Sequence, residues 1–282
     1  MGLTEIQTLL RKARSDPRRI LERSRKAIAA FSNSLRPNLQ RRRPGNVTML
    51  HVGRSGSTVL GDMLDQHPRV YWDGEVYHRS LQDPSKVGDP FHFLARRMLR
   101  AGSSYYGFEV KPVHLRTLNL EIQEFITTLD RLRFTHFIIL ERKNHLRRLL
   151  SGVIARRSTV FHRAPGDPLA RSRVAIDVTR IKVVNTTVPL LDFLTWYEEF
   201  FASLRDLLDS SKTLWLTYEA DILDDPVVGY GKTLSFLGIE AVSPPKISYG
   251  KTNPYPVEAM VSNFGELKGA LQGTRFEWML YE

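Results

Sequence analysis

The sequence of 282 residues contains no cysteine. Disulfides, thiolate metal sites and a cysteine nucleophile are thereby excluded. No apolar run approaches the ~20 residues that a membrane-crossing helix needs, and the first residues lack the apolar core of a secretory leader. Met1-Gly2 opens like a myristoylation signal, but Ile6 stands where Ser or Thr is required. The eight histidines show no metal-ligand spacing, and no His-Glu-x-x-His stretch occurs. These absences point to a soluble, cytoplasmic protein. Its 42% hydrophobic and 25% charged residues are a globular composition. A chain of this length fits one large α/β domain better than two small ones.

Net charge is scarce outside one region. Residues 1–46 hold twelve Lys/Arg against three acids, a balance of +9 out of the chain's +11. The remainder is nearly neutral, which argues against a nucleic-acid partner. A basic arm, residues 1–45, is thus set apart from a main domain, residues 46–282. Within the arm Ile6, Leu9, Leu10 and Ala13 follow helical spacing, and Ile20, Leu21, Ser24, Ile28 and Phe31 continue it after Asp16-Pro17. One or two helices packing on the main domain through these faces are expected. The alternative is weak contact with an anionic membrane surface.

Past Pro44-Gly45, strand and helix patterns alternate. VTMLHV (47–52), YYGFEV (105–110), THFIIL (135–140) and TLWLTY (213–218) read as strands. Helices are expected over 58–66, 119–131, 144–156, 188–209 and 229–237. This order predicts a three-layer α/β fold, a mostly parallel central sheet covered by helices on both faces. The long irregular stretch 157–187, rich in arginine, reads as a lid or binding loop. Trp196 and Tyr197 fall on an amphipathic helix and are expected in the core.

The stretch HVGRSGSTVLGDMLDQHP (51–68) carries chemistry. It runs from a strand through a Gly/Ser turn into a helix, but lacks the Gly-Lys-Ser/Thr ending of a nucleoside triphosphatase. Free N–H groups at such a turn converge on an anion. Ser55, Ser57 and Thr58 add hydroxyls, Gly56 allows close approach, and Arg54 supplies a cationic fork. The plain alternative is a capped helix start with Ser57 as N-cap. A second cationic strand end follows in LERKNHLRRLLS (140–151), with Arg142, Lys143 and Ser151. Two anion sites on one sheet edge suggest a ligand with two separated phosphate-like groups.

These two stretches resemble the sulfotransferases that use 3′-phosphoadenosine 5′-phosphosulfate (PAPS). GRSGSTVLGDMLDQHP looks like their 5′-phosphosulfate loop and LERKNHLRRLLS like their 3′-phosphate site. YEADILDDP with TLSFLGI, and NFGELKGALQGTRFEWML, are similar to their C-terminal half, so the resemblance spans roughly residues 46–280. It implies a P-loop-like fold, PAPS as co-substrate and no required metal. The implied reaction is sulfuryl transfer to a hydroxyl or amine of a small-molecule, glycan or lipid acceptor. A soluble bacterial enzyme fits, natural-product tailoring included. Arg54 is then expected to stabilise the leaving group, with Ser55, Gly56, Ser57 and Thr58 around the 5′ side. Arg142 or Lys143 with Ser151 would hold the 3′-phosphate, and Lys251 in YGKTNPYP would assist. For the base the resemblance offers Glu75 first, then His114 with Lys111 assisting the leaving group, then His78. Asp73 reads as a turn residue. A P-loop kinase and a non-enzymatic polyanion- or membrane-binding protein remain as alternatives.

Overall fold

The computed structural model describes residues 17–168, 171–183 and 186–281, with side chains described from Ser24 onward. The arm helix expected over Ile6 to Ala13 lies outside the described residues. The second one is present as α1 (Pro17–Ser34). The strands are β1 (Asn46–His51), β2 (Val70–Glu75), β3 (Tyr105–Val110), β4 (Phe134–Glu141), β5 (Ile181–Val183), β6 (Thr186–Val188) and β7 (Thr213–Thr217). The longer helices between them are α2 (Ser57–Gln66), α3 (Pro90–Met98), α4 (Pro112–Thr117), α5 (Ile122–Arg131), α6 (His145–Ser158) and α7 (Leu190–Leu207). Past β7 come α8 (Tyr218–Asp221), α9 (Pro226–Phe236), α10 (Val257–Met260) and α11 (Phe264–Leu271).

Five strands form one parallel sheet in the order β2-β3-β1-β4-β7. β1 and β3 are buried along their whole length, as strands covered on both faces must be. The apolar runs therefore show no alternation, and the expected three-layer α/β architecture is what forms. On one face Phe108, Phe125, Phe134 and Phe201 pack together; on the other Leu60, Met63, Ile138 and Leu234 do. A third cluster joins α6 to the C-terminal segment through Leu146, Leu150, Phe193, Leu267 and Met279. From β1 the chain leaves toward β2 and β3, whereas β4 lies on the other side of β1. The connections diverge between the C-terminal ends of β1 and β4, which is where open parallel sheets leave a crevice.

Three expectations change. The stretch 157–187 is not simply a lid: Val174, Ile176 and Ile181 are buried, and β5 and β6 make a small antiparallel hairpin. Trp196 is half-buried outside the core clusters, whereas Tyr197, also half-buried, packs against two of them. Among the described side chains, α1 does not pack through its apolar face either. Ile28 and Phe31 remain 70% and 68% exposed, and the side turned to the domain carries Lys26, Ala30 and Asn33.

Candidate active site

The turn after β1 is built from left-handed backbone. Gly53, Arg54 and Gly56 have φ of 64°, 59° and 86°. Such φ values suit glycine and cost a non-glycine residue free energy, so Arg54 is held there by its surroundings. Gly56, not Ser57, is the N-cap of α2, and no side chain caps this helix. Among the described residues, the N–H groups of Ser55, Gly56, Ser57 and Thr58 donate to no other residue. An uncapped helix start with several convergent donors is an anion site. A side chain on Gly56 would begin 2.5 Å from Ile222 Cγ2, so the turn is also pressed against α8 and its flank.

The hydroxyls of this turn differ in what they can reach. Ser55 is fully buried, and among the described residues its Oγ has no partner. Ser57 hydrogen-bonds the buried Glu109 carboxylate, so its contribution to a ligand is its N–H. Thr58 is half-buried at the turn's mouth. Glu109 also accepts from Trp72 Nε1 at 2.9 Å and lies 3.2 Å from His51 Nε2. Burial would raise the Glu109 carboxyl, but these partners outweigh it and hold the group below the usual range. The His51 Nδ1 accepts the Gly53 N–H at 3.1 Å, which ties this network to the turn.

Arg54 points toward the second anion site. Its Nε donates to Ser151 Oγ at 3.0 Å, one terminal nitrogen to Thr252 Oγ1 at 2.7 Å and the other to the Phe161 carbonyl at 2.8 Å. Beside it lies a cavity of about 280 Å³ lined by Arg142, Arg147, Ser151, Tyr218, Lys251 and Thr252, among others. Of the two cations left open by the sequence, Arg142 lines this cavity. Lys143 is exposed, and its N–H caps onto Glu219 at 3.1 Å. Arg142 lies over the Tyr218 ring at 4.4 Å and donates to the Arg54 carbonyl, while its Nε has no partner among the described residues. Burial lowers its guanidinium to about 10, against the attraction of Tyr218 and Glu219, so it stays a cation lacking a full counter-charge. Lys251 reaches the rim, 3.4 Å from Asp224. Arg147, whose fork grips the Tyr255 carbonyl at 3.0 and 3.2 Å, is a lining residue the sequence argument passed over. Its place one turn before Ser151 on α6 was the available signal.

On the other flank of the turn stands an acid–cation group. A bulge at the end of β2, with Gly74 at φ 65°, aims Glu75 toward β3. Lys111 Nζ is 2.5 Å from Glu75 Oε2, and the Lys111 chain runs over Gly53. His78 Nδ1 and His114 Nε2 lie 3.4 and 3.6 Å from the same oxygen. Burial would raise the Glu75 carboxyl, yet Lys111 and His51 overcome it and keep it below its ordinary range. His114 is fully buried and its Nδ1 accepts the Lys111 N–H at 3.2 Å. The proton of the neutral ring therefore sits on Nε2, facing Glu75. Burial, with Lys111 adding, drives this imidazole down to about 3. A ring so arranged turns its N–H toward Glu75, at 3.6 Å just beyond hydrogen-bond length, and has no free lone pair with which to take a proton. Asp73 is not a turn residue: it lies in β2, bound to Arg97 at 2.6 Å and to the Tyr106 hydroxyl.

The histidines without spacing along the chain do meet in space. Among the described residues, Glu75, His78 and His114, and also His51, Glu75 and Glu109, bring ligand-type atoms within 4.8 Å of one another. In both groups the Lys111 ammonium already supplies Glu75 with a positive charge.

No family model matches the sequence, and no curated protein matches it either. Solved structures do. The fold is similar to that of a sulfotransferase from Alicyclobacillus acidocaldarius, at 14% identity and a TM-score of 0.51, covering 84% of this chain and 95% of that one. Looser likenesses are to mouse sulfotransferase SULT7A1 complexed with PAP (TM-score 0.38, 14% identity, 71% and 60% covered). The sulfotransferase domain from the curacin biosynthetic pathway gives 0.39 at 14% identity, with 84% and 89% covered. At this identity the Alicyclobacillus structure establishes a shared fold.

Proposed function

We propose that the chain is a PAPS-dependent sulfotransferase acting on a hydroxyl or amine of a small-molecule, glycan or lipid acceptor. One observation carries this reading: two anion sites sit at neighbouring strand ends with Arg54 spanning them, and a carboxylate–lysine pair flanks the first. A ligand with two phosphate-like groups and one reactive end matches that layout. The fold shared with a sulfotransferase supports it.

In this reading the free N–H groups of residues 55–58, with Thr58, hold the 5′-phosphosulfate. Arg142, Arg147, Ser151 and the Arg54 fork hold the 3′-phosphate, a change from the expectation that Arg54 serves the leaving group. The acceptor lone pair attacks sulfur in line, and Glu75 takes the acceptor proton. The bond from sulfur to the 5′-phosphate oxygen breaks and its electron pair stays on that oxygen. Lys111, lying over Gly53, supplies the positive charge there. His114 Nε2–H steadies Glu75. Catalysis of this kind is positioning and electrostatics, and the loop donors and lysine are pre-organised for it.

Calorimetric titration with adenosine 3′,5′-bisphosphate, AMP and ATP, without and then with magnesium, tests the reading. Bisphosphate should bind more tightly than AMP. Arg54→Ala should lose about 10–100-fold of that affinity, as expected for charge-assisted bonds to phosphate. ATP preferred over bisphosphate, and only with magnesium, would instead favour a kinase.

A further inference from the structure

α1 is amphipathic the wrong way round for a helix that closes a core. Lys26, Ala30 and Asn33 recur at i, i+4 and i+7 and face the domain. Lys26 Nζ lies 2.8 Å from Asp65, Ala30 is buried, and Asn33 donates to the Arg100 carbonyl at 3.0 Å. Ser24, Ile28, Phe31 and Leu35 recur at i, i+4, i+7 and i+11, and at ~100° per residue they lie about half a turn away. Ile28 is 70% exposed, and Phe31 and Leu35 are each 68% exposed. Three large apolar side chains in one outward stripe call for a partner.

The surroundings state its charge. Arg25 on α1 and Arg36, Arg41 and Arg42 in the segment that follows it are exposed, and no acid occurs between Glu22 and Asp62. We infer that α1 docks the protein on an anionic lipid surface, its apolar stripe entering the headgroup region and its arginines meeting the lipid phosphates. Other occupants fit the charge badly. Residues 1–16 bring Arg11, Lys12 and Arg14, so folding them over the stripe would set cation against cation. A second α1 would do the same. An anionic surface gains from every one of these charges.

The fold also fixes which way a docked molecule faces. α1 contacts the segment Leu99–Ala101, which precedes β3, and Arg43, just before β1, binds the Met98 and Gly102 carbonyls at 2.6 and 3.2 Å. The strands are parallel, so α1 sits at the sheet's N-terminal edge and the anion sites at its C-terminal edge. A chain bound through α1 turns its catalytic edge away from the lipid.

Flotation of the full chain with vesicles tests this. Vesicles of phosphatidylcholine alone are compared with vesicles containing about one third phosphatidylglycerol, for wild type and the Ile28→Glu/Phe31→Glu double variant. Both positions are exposed, and a thermal melt checks that the variant folds. Wild type should prefer the anionic vesicles by at least about tenfold, and the double variant should lose at least about tenfold of that binding. A Phe31→Trp variant should show blue-shifted emission on the anionic vesicles. No preference for the anionic lipid, equal binding by the double variant, or a solution dimer that the double variant dissolves would each overturn the inference.

Discussion

Glu75 is a carboxylate kept ionised by an ammonium 2.5 Å away. Its pKa lies below the ordinary range, so the base form is complete at neutral pH and is lost only as the pH falls through that lowered value. His114, driven down to about 3, contributes no transition near 6.5. The pH profile of kcat/KM should therefore be flat through the histidine range on its acidic side and fall only in the carboxylate range or below. Glu75→Gln should lower kcat by about 10²–10⁴, as loss of a general base does, while bisphosphate binding by calorimetry stays within a few-fold. A limb near 6.5 that survives in His78→Gln would return His114 to the role of base.

At the scale of the element, the turn between β1 and α2 depends on Gly56 twice over. Its φ is 86°, and a Cβ there would meet Ile222 Cγ2 at 2.5 Å. Gly56→Ala should cost about 1–3 kcal/mol in a denaturant melt and remove bisphosphate binding even where the fold survives. This turn was legible in the sequence because Gly and Ser between an apolar strand and an amphipathic helix leave few other conformations. β3 was read to the residue because its six positions are buried on both faces and bounded by Gly102 and Pro112. Other features depend on residues far apart along the chain. Arg54 reaches Ser151 and Thr252, 97 and 198 residues away, and that direction comes from a left-handed backbone no motif encodes. Lys143 and Arg142 differ in the sequence by one position, and only the course of the chain past the end of β4 decides which side chain enters the cavity. α1 carries a helical pattern whose period was evident, but period alone does not say which face is covered.

For the whole molecule, the end of the basic arm is tied into the domain. Arg43 is buried and, besides the two carbonyls it grips, donates to Asn46 Oδ1 at 2.9 Å. Deleting residues 1–36 should leave the melting temperature of the domain close to that of the full chain. Arg43→Ala should destabilise it by about 2–3 kcal/mol, because charge-assisted bonds are lost and two carbonyls are left without a donor. A truncation as costly as Arg43→Ala would mean that α1 is part of the core after all.

The sheet's parallel order has one more result. A six-residue strand spans about 20 Å at ~3.3 Å per residue, roughly twice the ~8 Å screening length of physiological salt. The arginines around α1 and those around Ser151 therefore occupy separate ionic atmospheres. Salt that strips the protein from a charged surface should weaken nucleotide binding by the same factor whether residues 1–36 are present or not. The proposed surface docking and the proposed chemistry can thus be tuned independently, by substitutions at opposite ends of the same strands.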